Sequence, residues 1–359
     1  MTINFCFHRD ETAPRTRRSA LRLSLLAGAL AFAMPVLTAG AAKAEVVLKF
    51  AGTVPLENAT SVRVFKPWVD KVNEEAKGEF RIQMFGLELA NSRNVWERTL
   101  SGVADIGWAL HGTVGLPFPK TSVITLPMLI EDKQAGAASE ALWRLYESGL
   151  IADEYKDVKV LGLVALPVQG LATKPKVAKF EDLKGQKIRS ADKLSGDIAT
   201  ALGGSPISLS ATEVYQALSR GVVDSAIANW IMMGAFRLTE VTNEYITGMP
   251  LGSPSGFIVM NQKSYDKLSE KGKQILAKHT GAVMSREVGT GLEQLSFGLR
   301  DNIVKNNTNY NVVEMSADDR KRWAEALKAV EDRWISDTTD GKKVLEQFKA
   351  EFEKIKATN

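Results

Sequence analysis

Cysteine is nearly missing from the 359 residues, with Cys6 the one example. That excludes a disulfide framework and a cysteine-ligated metal site. Past residue 6 it also removes any thiolate nucleophile. Histidine is almost as scarce, and only His111 and His279 follow residue 44. A two-histidine metal motif therefore has no support. No P-loop and no Gly-x-Ser-x-Gly elbow occurs, and Gly203-Gly204 sits where it would close a helix. Acidic residues are plentiful but scattered over solvated helix faces, so no nucleophile pairs with a base. The expectation is a chain that is not an enzyme, with no catalytic residues, no metal and no cofactor.

A long apolar run is lacking too. Leu23 to Leu37 is too short to span a membrane and is broken by Pro35. Arg15, Arg17, Arg18 and Arg22 precede it and Ala42-Lys43-Ala44 follows, the layout of a secretory signal cleaved near Ala44. The first 44 residues hold six of the 46 Lys and Arg and two of the 42 Asp and Glu, leaving forty of each sign. The formal charge of +4 thus belongs to the leader. A neutral mature chain has no general attraction for nucleic acid or an anionic membrane. An exported, cysteine-free chain of this size rests on hydrophobic cores, which fits a periplasm.

What is present centres on residues 183–230. Leu183 to Ser190 reads as a turn feeding a short strand that carries Arg189. A helix follows and ends at Leu202-Gly203-Gly204, and Pro206 to Leu209 is a second strand. Ser210-Ala211-Thr212-Glu213 is a capping box opening a helix through Tyr215 and Leu218 to Gly221. Val222 to Ala228 is a third strand, landing on Asn229-Trp230. Strand, helix, strand, helix, strand predicts an α/β unit with a parallel sheet, whose ligands sit beyond the carboxyl ends of the strands.

The rest of the chain extends the pattern. Strands are expected at 46–50, 80–85, 102–108, 158–166, 257–260 and 312–315, and helices at 61–76, 94–100, 135–148 and from 317 onward. Leu100 to Asp105 echoes Leu218 to Asp224: a helix closes on glycine, a valine strand follows, and a tryptophan arrives soon after the aspartate. Residues 269–306 carry apolar positions at helical spacing without proline, potentially ~50 Å of helix, with Gly281, Gly289 and Gly291 as candidate kinks. No linker separates domains, so lobes would have to interleave.

Arg189 at a strand end is placed to clamp a carboxylate with two parallel bonds, the alternative being a structural ion pair. Trp108 and Trp230, each near a strand end, would stack on the apolar body of a ligand if they face one another, and otherwise are core. His111 suits a ligand as a neutral hydrogen-bonding group, though exposed loop histidines are common. His279, Met232 and Met233 read as structural.

At these residues the sequence resembles the periplasmic solute-binding subunits (DctP-type) of tripartite ATP-independent periplasmic (TRAP) transporters. The likeness covers essentially the whole mature chain. It is carried by Glu181-Asp182-Leu183-Lys184-Gly185-Gln186-Lys187-Ile188-Arg189, Glu213-Val214-Tyr215-Gln216-Ala217-Leu218, Gly221-Val222-Val223-Asp224, Gly102-Val103-Ala104-Asp105-Ile106 and Leu126-Pro127. The resemblance implies an α/β, two-lobed periplasmic-binding-protein architecture with the ligand cleft between lobes and a long helix running along both. The expected organisation is lobe I at 45–166 with about 251–290 returning to it, lobe II at 167–250 with about 291–315 returning, and C-terminal helices at 316–359. The resemblance also implies a monomer that closes on a small organic acid, pairs Arg189 with its carboxylate and delivers it to TRAP permease subunits. Where many members carry a second basic residue this chain has Gln169, and Ala228 stands where sialic-acid binders have asparagine, with Asn229-Trp230 beyond. One charge fewer and two aromatics favour a mono- or aromatic carboxylate. Signalling through a membrane sensor is the alternative role, and a periplasmic enzyme acting on carboxylic acids a more distant one.

Overall fold

The computed structural model describes residues 45–307 and 309–358. The expected leader and Cys6 lie outside them. In chain order the first elements are β1 (Val46–Ala51), α1 (Lys66–Glu75), β2 (Phe80–Phe85), α2 (Val95–Leu100), β3 (Ile106–Leu110), α3 (Ala135–Glu147) and β4 (Lys159–Ala165). Next come β5 (Gly170–Thr173), β6 (Lys187–Ser190), α4 (Lys193–Ala201), β7 (Ser205–Ser208), α5 (Val214–Ser219), β8 (Ser225–Ala228), α6 (Trp230–Ala235) and β9 (Glu244–Thr247). The chain ends with β10 (Ser255–Met260), α7 (Gln262–Asp266), α8 (Glu270–Lys278), α9 (Ala282–Asn306), β11 (Asn311–Glu314), α10 (Ala317–Asp337) and α11 (Gly341–Ala357).

Two sheets result, in the orders β2-β1-β3-β10-β4 and β11-β9-β5-β8-β6-β7. In the first, β1 runs parallel to β2 and β3, while β10 lies antiparallel between β3 and β4. In the second, β6 is parallel to β7 and β8, as the strand-helix alternation of residues 187–228 requires. Each sheet is covered by helices on both faces. Leu48, Phe50, Ile82 and Trp108 pack with Trp68, Val288 and Leu292 on one side of the first sheet. Ala109, Leu163 and Phe257 pack with Leu142 and Phe348 on the other.

The echo between Leu100–Asp105 and Leu218–Asp224 is one device used twice. Gly102 and Gly221 adopt φ of 76° and 70°, conformations that close the preceding helix without a Cβ penalty. The amides of Ala104 and Val222 return to Arg98 O and Ala217 O, so the expected strands 102–108 and 222–228 begin later, at Ile106 and Ser225. Asp105 N then donates to Lys49 O of the neighbouring strand β1, and its Oδ2 accepts the Lys49 amide at 2.8 Å. Asp224 does the same with Lys187, also at 2.8 Å. Each aspartate thereby sets the register of the strand it precedes.

Between the sheets the chain crosses at residues 166–169 and back at 248–254, and these crossings are bonded to each other. Leu166 N donates to Pro254 O, Gln169 N to Gly252 O, and Leu251 N to Gln169 O, at 2.8–2.9 Å. The third crossing is α9. Its Met284, Val288, Leu292 and Leu295 pack in the first sheet's core, and Leu299, at the edge of that core, also lies against Gly234 of α6. The helix expected over 269–306 is therefore two helices, broken at Gly281, where φ is 73°. Gly289 and Gly291 stay inside α9, Gly289 because Ser139 and Ala135 of α3 approach too closely for a side chain.

Candidate functional site

Arg189 sits at the third position of the parallel strand β6, near its carboxyl end, and is only 3% exposed. Its Nε donates to Leu209 O at 3.0 Å and its Nη1 approaches Met232 Sδ at 3.8 Å. Among the described residues it has no ion-pair partner. Burial draws the guanidinium pKa down to about 10 against the opposing charge of Asp192, so it stays cationic at neutral pH.

Asn229, Trp230 and Gln169 gather around the same sheet end. Asn229 is the N-cap of α6: its Oδ1 accepts the Met232 amide at 3.0 Å, which fixes the methionine under Arg189. Its Nδ2 donates to Pro167 O at 3.3 Å, tying the helix to the first crossing. Trp230 lies on Tyr245 with ring centroids 4.1 Å apart. The buried Tyr245 hydroxyl bridges Gly170 N and Ala228 O at 2.8 Å each. Gln169 and Trp230 also line a cavity of about 30 Å³ with Tyr245 and Phe297, room for a water rather than an aromatic acid.

Trp108 lies on β3 and His111 opens the 3-10 turn just beyond it, and the two pack into the cores on opposite faces of the first sheet. Trp108 packs on Phe65 at 4.8 Å between centroids and lies so close over Gly256 that a Cβ there would stand 2.7 Å from the ring. Each tryptophan is thus packed into the core of its own sheet, and the two rings do not share a partner. His111 is buried rather than exposed on a loop, edge-on to Phe118 and Phe257. A relay fixes its tautomer. The Glu154 carboxylate accepts from Lys120 N, Thr121 N and the Thr121 hydroxyl at 2.6–3.0 Å. Thr121 then accepts from Tyr155 at 2.9 Å, and Tyr155 accepts Nε2–H of His111 at 2.7 Å. Nδ1 is left without a partner of hydrogen-bonding geometry. Burial holds the imidazolium down to about 3, only partly offset by the Ser255 backbone, so His111 is neutral.

Three residues at this end of the molecule were not singled out by the sequence reading. Met232, for which packing alone is expected, meets Arg189 through its sulfur. Tyr245 lies on β9, which the reading missed. Asp192 begins Asp-Lys-Leu-Ser, a helix-start signature that identifies it as the N-cap of α4. A larger groove of about 700 Å³ adjoins the small cavity, sharing Glu131, Asp132, Thr247 and Gly248 with it; Arg300, Glu314 and Arg320 also wall it, and none of the candidate site residues lines it. Among the described residues no cluster of His, Cys, Asp and Glu is placed to hold a metal ion.

Residues 50–337 match the family of bacterial extracellular solute-binding proteins, family 7 (DctP). The fold is similar to a TRAP solute-binding protein from an unidentified marine microbe, specific for aromatic acids and solved with metahydroxyphenylacetate. That chain is 26% identical, with a TM-score of 0.79, over 87% of this chain and 99% of the other. A TRAP solute-binding protein from Rhodoferax ferrireducens, holding copurified benzoate, is 24% identical with a TM-score of 0.80 over the same shares. The sialic acid-binding periplasmic protein SiaP of Vibrio cholerae is 24% identical over 62% of this chain and 72% of its own. The two-lobed α/β fold with its long shared helix is the architecture of these proteins, and members bind solutes for transport rather than catalyse reactions. The chain belongs to the DctP family: it is a periplasmic solute-binding protein that works with the permease subunits of a TRAP transporter.

Proposed function

We propose that the solute is a small monocarboxylic acid with an aromatic or otherwise apolar body, held between the lobes with its carboxylate on Arg189. The observation that carries this is a buried, charged guanidinium with no acidic partner among the described residues. A buried cation left unpaired is costly, and a ligand carboxylate offering two parallel bonds supplies what is missing. Gln169 adds no second charge to receive a second carboxylate, and aromatic acids are bound by the marine and Rhodoferax relatives. Asn229, Trp230 and Gln169 complete the proposed contacts beside Arg189, whereas Trp108 and His111, packed among side chains of their own lobe, would have to repack before they reach a ligand.

In this reading residues 45–166 and about 251–290 form lobe I, and 167–250 with about 291–315 form lobe II. Residues 316–359 brace both, and a leader is removed near Ala44. The sheet memberships and the three crossings support it, except that Leu292 and Leu295 of α9 still pack in the first sheet's core. Thermal shift against benzoate, 3-hydroxybenzoate, mandelate and succinate tests the ligand class. An aromatic monoacid at ~100 times its Kd should stabilise by ~2.7 kcal/mol. A response to succinate alone would overturn the monocarboxylate reading.

A further inference from the structure

The lobes touch at a point that no ligand-contact role explains. Gly112 directly follows His111 beyond the carboxyl end of β3, and Asp192 caps α4 just beyond the end of β6. A Cβ built on Gly112 would stand 3.2 Å from Asp192 Oδ2, 3.7 Å from its Cβ and 3.9 Å from its Cγ. The backbone of Gly112 is not in the left-handed region, so close approach, not φ, is what calls for glycine here.

Neither side of the contact yields easily. Asp192 Oδ1 accepts from the Ser195 amide at 2.8 Å, and the Ser195 hydroxyl in turn accepts from the Ala191 and Asp192 amides at 2.9 and 3.0 Å. Oδ1 is held by this capping box, which leaves Oδ2 towards Gly112. Opposite, His111 is anchored by Tyr155, and the Thr113 hydroxyl donates to Leu110 O at 2.8 Å. Leu194, in the first turn of α4, packs against the core of each sheet, so this end of α4 lies at the seam.

We propose that Gly112 and Asp192 form the stop against which the lobes close, making both positioning residues for ligand affinity. The bare glycine sets how near the strand end bearing His111 comes to the strand end bearing Arg189. A side chain at 112 holds the lobes apart, depletes the closed population and weakens binding in proportion, without touching the ligand. The affinity part rests on the cleft reading above; the contact itself does not.

Two measurements decide it, in a Cys6→Ser background. The Cβ separation of 3.7 Å falls within disulfide geometry. Gly112→Cys with Asp192→Cys should therefore cross-link within one chain under oxidised glutathione, with no ligand needed, and mass spectrometry reads the bond. Absence of the cross-link overturns the proposal. Separately, Gly112→Ala should raise the Kd for benzoate about three- to tenfold, chiefly through faster release. Asp192→Ser in the same chain shortens the opposing side chain while keeping a cap, and should restore affinity. An unchanged Kd in Gly112→Ala, or a loss that Asp192→Ser fails to reverse, overturns the proposal. If benzoate and the other acids do not bind the parent protein, the functional reading has failed and the cross-link alone decides the contact.

Discussion

Burial of His111 leaves a mark on stability that ordinary titration can read. Its imidazolium is held down to about 3, whereas the unfolded chain takes up the proton near the ordinary value of 6.5. The folded state therefore binds fewer protons below 6.5, and the stability His111 contributes is complete above that value and lost as pH falls towards 3. By linkage the loss is at most ~3 kcal/mol at pH 4. His111→Gln removes the titration, so its melting temperature should fall less than the parent's between pH 7 and pH 4. Parallel curves would mean that His111 is hydrated in solution. The residue type and its neutrality were legible in the sequence. Its burial was not, because two of the covering rings, Tyr155 and Phe257, arrive from distant segments, and Phe118 folds back from the loop that follows.

At the level of elements, glycine is read by context rather than by identity. Gly281 separates α8 from α9 at φ 73°, with Trp143 3.2 Å from where its Cβ would be. Gly298 lies inside α9 with open space around it. Gly281→Ala should destabilise by about 1–3 kcal/mol, since an L-residue at φ 73°, ψ −137° is strained. Gly298→Ala should stabilise by roughly 0.5–1 kcal/mol through helix propensity. Chemical denaturation distinguishes the two, and equal effects would contradict the break at Gly281. Sequence located the break among three glycines without choosing, because all three fit the same periodicity. It missed β5 and β9 for a different reason. Gly170–Thr173 is buried on both faces and Glu244–Thr247 nearly so, hence neither shows the alternation that marks a half-exposed strand. The capping box at Ser210 and the paired Gly–Val–x–Asp turns were legible because their signals are local, complete within six or seven residues. The pairing of the two crossings was not, since it is made of backbone bonds between segments some eighty residues apart.

For the molecule as a whole, the arrangement amounts to two sheets joined by bonded crossings and one long helix, with a buried cation at the end of a parallel strand. In the proposed reading Arg189 costs the ligand-free protein stability, and a ligand carboxylate returns it. Function and stability should then part company on substitution: Arg189→Met, similar in volume and apolar, should leave the ligand-free protein as stable as the parent or more so while losing the ligand. An arginine kept only for packing or an internal ion pair would show the opposite, a loss of stability with little change in binding. The most direct measurement is calorimetric titration of benzoate, or whichever aromatic acid gives the larger thermal shift, into the parent protein and Arg189→Met. The account predicts a loss of about 2–5 kcal/mol in binding free energy, some 30-fold or more in Kd. Equal affinity in the two proteins would place the carboxylate elsewhere and contradict the clamp.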